Sequence, residues 1–255
     1  MPLTLLTIPC LSDNYAFLVH NDATGETALV DAPESEPILA ALADRNWTLT
    51  DILLTHHHWD HVDGLGAIRN ATGARVIGAA ADAERLPPLD LAVTEGHTIT
   101  VCGEAVHIFD VSGHTIGHIA FHFPDSSLAF TADSLMALGC GRLFEGTPAQ
   151  MWESLQKLRA LPAETLICSG HEYTASNAKF ALSIDPNNTA LIERVADITA
   201  KRAAGEFTVP STLQLEQATN PFLRADANDM KAAIGMDTAS DVEVFTEIRA
   251  RKDNF

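Results

Sequence analysis

The sequence predicts an α/β protein with two sheet layers and helices outside them, followed by a smaller helical region. Three observations carry this expectation. Short apolar strands separated by turn formers open the chain; strand and helix patterns then alternate before strands return between His97 and Thr131; beyond Tyr173 the patterns are helical. Strand-rich stretches interrupted by helices are most simply folded as packed layers around one core.

The opening strands are Leu3 to Ile8, Tyr15 to His20 and Thr27 to Val30, divided by Ser12, Asp13, Asn14 and Gly25 in the manner of a meander. Ser35 can cap a helix in which Ile38, Leu39 and Leu42 recur at helical spacing. A buried strand, Asp51 to Thr55, follows, then a helix from about Val62 to Asn70 and a strand from Arg75 to Gly78. Two prolines make Leu86 to Asp90 a loop. Further strands are expected at His97 to Val101, Ala105 to Phe109, Ile119 to Phe123, Leu128 to Thr131 and Leu166 to Ser169. Helices are expected at Ala175 to Leu182, Asn187 to Ala204, Asp226 to Ile234 and Asp241 to Arg251, with Pro210 and Pro221 in the connections. The expected division is a domain over residues 1–172 and a helical one over 173–255.

At 255 residues and 46% hydrophobic, the chain can bury a sizeable core. A net charge of -18 argues against nucleic acid or an anionic membrane surface as partner, since both need a basic footprint. Cys10, Cys102, Cys140 and Cys168 show neither CxxC pairing nor a disulfide framework, and the N-terminus lacks the basic region of a secretory signal. No apolar run approaches the ~18 residues of a membrane span. A soluble cytoplasmic protein, expected to be a monomer, fits these features.

Chemistry concentrates in Thr55 to His61, THHHWDH, directly after the apolar Ile52, Leu53 and Leu54. Four imidazoles and a carboxylate in seven residues suit a borderline divalent cation such as zinc. His56 and His58 share a side of an extended segment, while Asp60 and His61 follow where the chain should turn, so two bundles of ligands are the natural reading. A histidine-rich loop without an ion is the bland alternative, but such tracts belong to chain ends and low-complexity linkers. Other strand ends carry SGHTIGH (Ser112 to His118), TADS (Thr131 to Ser134) and GHEYT (Gly170 to Thr174). Two neighbouring cations repel unless an anion bridges them, and a carboxylate can do so where an imidazole does not. Asp133 is the candidate bridge, with His114 and His171 completing the two sets.

Together THHHWDH, SGHTIGH, FTADS, GCGRLFEGT, GHEYT, NPFLR and the ending RARKD resemble the metallo-β-lactamase superfamily, and within it glyoxalase II, the hydroxyacylglutathione hydrolases, along nearly the whole chain. The HxHxDH element alone points only to the superfamily; GCGRLFEGT, GHEYT and the basic ending single out the family. The resemblance implies an αββα sandwich followed by a smaller C-terminal α-helical domain. It also implies two divalent metal ions per chain, zinc first with iron or manganese as alternatives. One would sit on His56, His58 and His114, the other on Asp60, His61 and His171, with Asp133 and a water or hydroxide bridging both.

The implied substrate is a glutathione thioester, typically S-D-lactoylglutathione, hydrolysed to glutathione and D-lactate. Asp60 and Asp133 would orient the attacking hydroxide. Arg142, Arg249 and Lys252 would hold the substrate's carboxylates, with Tyr173 near the sulfur. Without the resemblance, the basic C-terminus reads as a solvated helix end that suits the helix dipole. Two other functions share the scaffold: a mononuclear-iron persulfide dioxygenase and a non-catalytic ligand-binding member. The complete ligand set speaks against the latter, and the long basic-ended helical region against the former.

The chain departs from the family pattern at four places. Phe144 stands where some members have tyrosine, Arg142 where some have lysine, Asp63 where glycine is frequent, and Ala132 where TGD has glycine. Asp31, ending an apolar strand, is read either as orienting a metal-binding histidine or as a turn carboxylate. Cys168, three before His171, is read as a small buried residue. Of the six remaining histidines, His57 is expected to point away from the ligands and His118 to stand behind them at most. His20, His97, His107 and His122 are expected at the surface or hydrogen-bonded.

Overall fold

The structure is a computed structural model that describes residues 2–255. It divides into two compact units: the residues up to Asp110 with Ile116–Ala132, and Val111–Thr115 with Asp133–Phe255. The SGHTIGH motif is thereby shared, His114 falling in the second unit and Gly117 and His118 in the first.

The first unit opens with β1 (Thr4–Cys10), β2 (Asn14–His20) and β3 (Glu26–Val30), then α1 (Ser35–Arg45), β4 (Thr48–Leu53), α2 (Trp59–Val62), α3 (Leu65–Thr72), β5 (Arg75–Ala79) and β6 (Leu91–Val93). These strands form one sheet in sequence order. Pairing is antiparallel from β1 to β3 and parallel from β3 to β6, because α1, α3 and the connection over residues 80–90 return the chain across the sheet. Ile38 and Leu42 of α1 and Leu65 and Ile68 of α3 pack on Leu18, Leu29, Ile52 and Val76 of the sheet in one cluster.

A second layer holds β7 (Thr98–Val101), β8 (Glu104–Asp110), β9 (Ile119–Phe123) and β10 (Leu128–Ala132), neighbours in that order and antiparallel. Phe17 of β2 meets Phe130 of β10 at 5.6 Å between ring centroids, so aromatic side chains of the two layers interdigitate. This is the layered arrangement expected.

The helix expected from about Val62 to Asn70 is α3, which starts only at Leu65; a one-turn helix that was not expected, α2, precedes it, with Asp63 and Gly64 between them. Here the Gly64 amide donates to the Ala32 carbonyl at 2.8 Å, and the approach is close: a Cβ on Gly64 would lie 2.8 Å from the Glu34 carbonyl carbon and the Ser35 nitrogen. That contact admits only glycine and anchors the turn beneath the histidine tract.

The second unit contains β11 (Leu135–Met136), β12 (Gly139–Cys140), α4 (Pro148–Arg159), β13 (Leu166–Ser169), α5 (Thr174–Ile184), α6 (Thr189–Ala203), β14 (Ser211–Thr212), α7 (Leu213–Thr219), α8 (Asn228–Ile234) and α9 (Asp241–Asp253). Two capping boxes fix helix starts, Thr147 with Gln150 at α4 and Ser240 with Glu243 at α9. The tail is not wholly helical, since β14 pairs antiparallel with β13.

One carboxylate ties this unit together. Glu216, fully buried, pairs with Arg194, accepts from Ser211 and from the Leu138 amide at 2.9 Å, and lies 3.2 Å from the Asn220 amide nitrogen. Asn220, of the NPFLR motif, also donates to the carbonyls of Met136 and Gly139 at 3.0 Å. The hairpin between Asp133 and Arg142 is thus held from α6 and α7. Among the described residues no helix is long and apolar enough to cross a membrane.

Candidate metal centre

In the first unit the apolar strand β4 delivers an extended Thr55–His58 segment, after which the chain turns into α2. Side chains of an extended segment alternate in direction, so His56 and His58 fall together. His56 Nε2 and His58 Nδ1 are 3.1 Å apart. Asp31, in the left-handed region at φ 57°, accepts from the Thr55 amide at 2.9 Å, the Thr55 hydroxyl at 2.8 Å and His61 Nδ1 at 2.8 Å. These bonds assign tautomers. A carboxylate only accepts, so His61 carries its proton on Nδ1 and presents Nε2 as a lone pair. The Thr55 hydroxyl spends its proton on Asp31 and must accept from His56 Nδ1, 3.0 Å away; His56 therefore also presents Nε2 unprotonated.

Asp31, His56 and His61 form a buried group of potential donors. Asp60 is held by a residue that sequence reasoning treated only as a turn former: Asn14 donates to the Asp60 carbonyl at 2.9 Å and to its carboxylate at 3.2 Å. The position of Asn14 at the start of β2 gave no signal of this. His57 faces the other way, with Nδ1 2.9 Å from the Asp82 carboxylate. His118 stacks on His56 at 4.6 Å between centroids and 12° between planes.

In the second unit the three expected ligands arrive from separate segments. Oδ2 of Asp133 lies 3.4 Å from Nε2 of His114 and 3.4 Å from Nε2 of His171. His114 Nδ1 donates to the Arg142 carbonyl at 2.7 Å, which leaves Nε2 as its lone pair. Glycine makes this gathering feasible, since a Cβ on Gly141 would lie 2.0 Å from the Asp133 carbonyl oxygen and 2.8 Å from His114 Nδ1.

The four thiols are poor candidates. All are buried, and burial pushes Cys140 up to about 11 despite the Arg249 guanidinium beside it, and raises Cys168 further still.

The residues expected to bind substrate lie in the second unit. Arg249 and Arg142 both reach Asp253, at 2.8 and 3.6 Å, and Arg249 donates to the Cys140 carbonyl at 3.0 Å. The Lys252 ammonium lies over the rings of Phe180 and Phe255, and burial followed by the Arg249 charge lowers its pKa from 10.5. Arg251, of the same basic run, turns instead to Glu247 and the Ile234 carbonyl. Tyr173 stacks on His171 at 4.6 Å, and the exposed Phe144 sets its ring against His114 at 5.3 Å.

Comparison with known proteins places both parts of the chain. Residues 12–171 match the model of the metallo-beta-lactamase superfamily, and residues 172–255 that of the hydroxyacylglutathione hydrolase C-terminus. Among solved structures, the BLEG-1 B3 metallo-beta-lactamase aligns at TM-score 0.67 and 21% identity over 86% of this chain and 99% of that one. ETHE1 from Myxococcus xanthus aligns at 0.65 and 23% over the whole of both. The fold is that of the metallo-β-lactamase superfamily. The chain is 67% identical to a hydroxyacylglutathione hydrolase of Cereibacter sphaeroides and 62% identical to one of Ruegeria pomeroyi, each over the full length of both chains. It belongs to the hydroxyacylglutathione hydrolase family and is a hydrolase.

Proposed function

We propose that the chain hydrolyses S-2-hydroxyacylglutathione thioesters, S-D-lactoylglutathione first among them, using two divalent metal ions, with zinc the leading candidate. In this reading His56, His58 and His114 hold one ion, Asp60, His61 and His171 the other, and Asp133 serves both. The observation that carries it is the Asp133 oxygen 3.4 Å from a ring nitrogen of both His114 and His171. An oxygen and two imidazole nitrogens gathered that closely, with tautomers fixed from behind at His56, His61 and His114, fit cations better than they fit one another.

When bound, the ions lower the pKa of a water to about 7 and polarise the thioester carbonyl. The chain's own residues do the rest. Asp60 and Asp133 accept the nucleophile's proton in a hydrogen bond and aim its lone pair at the carbonyl carbon. The glutathione thiol, with a pKa near 8.5, leaves as thiolate without a strong acid beside it. Arg142, Arg249 and Lys252 hold the tripeptide's carboxylates, and Asp253 keeps the two guanidiniums oriented; the Tyr173 hydroxyl donates near the sulfur. Phe144 contributes a ring but no hydroxyl. A monomer in the reducing cytoplasm, where glutathione and four free thiols coexist, completes the reading.

The test is metal analysis with turnover. Purified protein should carry about two divalent ions per chain and consume S-D-lactoylglutathione with loss of thioester absorbance. A single iron with oxygen uptake on glutathione persulfide would replace this reading with the dioxygenase.

A further inference from the structure

The middle histidine of THHHWDH has no place among the proposed ligands, yet it is firmly held. His57 Nδ1 lies 2.9 Å from Oδ2 of Asp82, whose side chain is fully buried. The other oxygen, Oδ1, accepts from Nε of Arg85 at 2.7 Å and from a second guanidinium nitrogen of the same residue. The backbone is drawn in too: the amides of Arg85 and Leu86 donate to the Asp82 carbonyl at 2.9 and 2.8 Å. On its far side Asp82 presses against Gly117, where a Cβ would lie 2.3 Å from the carboxyl carbon. Gly117 precedes His118, and the His118 ring stacks on His56.

We propose that His57 and Asp82 are positioning residues, a buried clamp that sets the rotation of the Thr55–His58 segment and so aims His56 and His58 at their ion. Alternation links the three rings: fixing the direction of His57 fixes its neighbours on the opposite side of the chain. Asp82 is suited to this because both its oxygens are committed and its main chain is pinned, so it cannot follow His57 if the segment rolls. Through Gly117 the same carboxylate backs the turn that seats His118 against His56. The run His56–His58 therefore needs all three of its histidines, two to face the ion and one to be gripped from behind.

This rests on the reading of His56 and His58 as ligands, and the experiment separates the two. Zinc affinity is measured by chelator competition, and the visible bands of the cobalt form are recorded, for the full-length wild type and for His57→Ala, His57→Asn and Asp82→Asn. Asparagine puts an amide nitrogen where histidine has Nδ1 and keeps the donor to Asp82. His57→Ala and Asp82→Asn should each weaken metal binding ~10–100-fold, shift the cobalt bands, and lower kcat with KM little changed. His57→Asn should restore most of the affinity and the wild-type spectrum. His57 is partly exposed, so its variants remain informative if Asp82→Asn fails to fold. Wild-type affinity and spectrum in His57→Ala would overturn the clamp alone, as would an asparagine variant no better than alanine. A wild type that binds no metal would sink the ligand reading beneath it.

Discussion

The two units aim their candidate metal donors in opposite ways. In the first, His56, His58, Asp60 and His61 lie on one short segment, and side chains aim them: Asp31 from behind His61, Asn14 from beside Asp60, Asp82 from behind His57. In the second, His114, Asp133 and His171 come from three segments, and backbone does the aiming, through the Arg142 carbonyl and the close approach at Gly141. A contiguous set can be tuned by exchangeable side chains. A dispersed set depends on backbones meeting, and tolerates little.

The sharpest test of that contrast compares Asp133→Ala with Asn14→Ala. Loss of the Asp133 carboxylate, if it serves both ions as proposed, should cut kcat by ~10³-fold or more, as several kcal/mol of charge stabilisation disappear, and metal content should fall with it. Loss of Asn14 should cost only ~10–100-fold in metal affinity; equal effects would erase the distinction. Next is a pair of glycines, compared by thermal unfolding. Gly141→Ala forces a Cβ to 2.0 Å from the Asp133 carbonyl oxygen and should destabilise by upwards of ~3 kcal/mol. Gly66→Ala, in α3 with nothing within 4 Å, should stabilise by ~0.5–1 kcal/mol.

A smaller effect concerns the cations proposed to hold substrate. The pKa of Lys252 is lowered, so as pH rises its charge is lost before an ordinary lysine at 10.5 would lose it. KM for the anionic substrate should accordingly begin to climb below that pH, and Lys252→Arg should flatten the climb, since a guanidinium stays charged. The smallest is Ala132→Gly. Ala132 sits at φ 39°, where L side chains are strained, and glycine there should add ~0.5 kcal/mol, relief of strain outweighing the freer unfolded chain.

Legibility in the sequence follows the same division. Apart from the three-residue β6, which no reading anticipates, the strands of the first unit are readable to within a few residues because apolar runs and turn formers mark them, and the histidine tract announces itself by density. Spacing could gather its residues but could not show that Asn14 or Asp82 reaches them, for both contacts span more than twenty residues and neither carries a local signal. His114, Asp133 and His171 stood out only as glycine-flanked or strand-end residues, and their pairing needed the family resemblance. The turn at Gly64 escaped the helical pattern because what meets it, the backbone at Ala32, Glu34 and Ser35, is a tertiary contact. Conversely α4 was there to be found: Thr147, Pro148 and Gln150 spell a helix start.

The buried Glu216 has a further consequence, for how the second unit opens. Because one carboxylate binds α6, β14, α7 and the Leu138 amide, α6 and α7 cannot fray alone; releasing them exposes a charge whose unpairing costs ~3–5 kcal/mol. Hydrogen exchange should therefore find the Leu138 amide protected as long as the helices that hold Arg194 and Glu216, all of them exchanging in a single cooperative opening. Proteolytic trimming that undoes α7 would loosen the hairpin next to Asp133 as well. In this unit the setting of Asp133 lasts as long as α6 and α7 stay docked on Glu216.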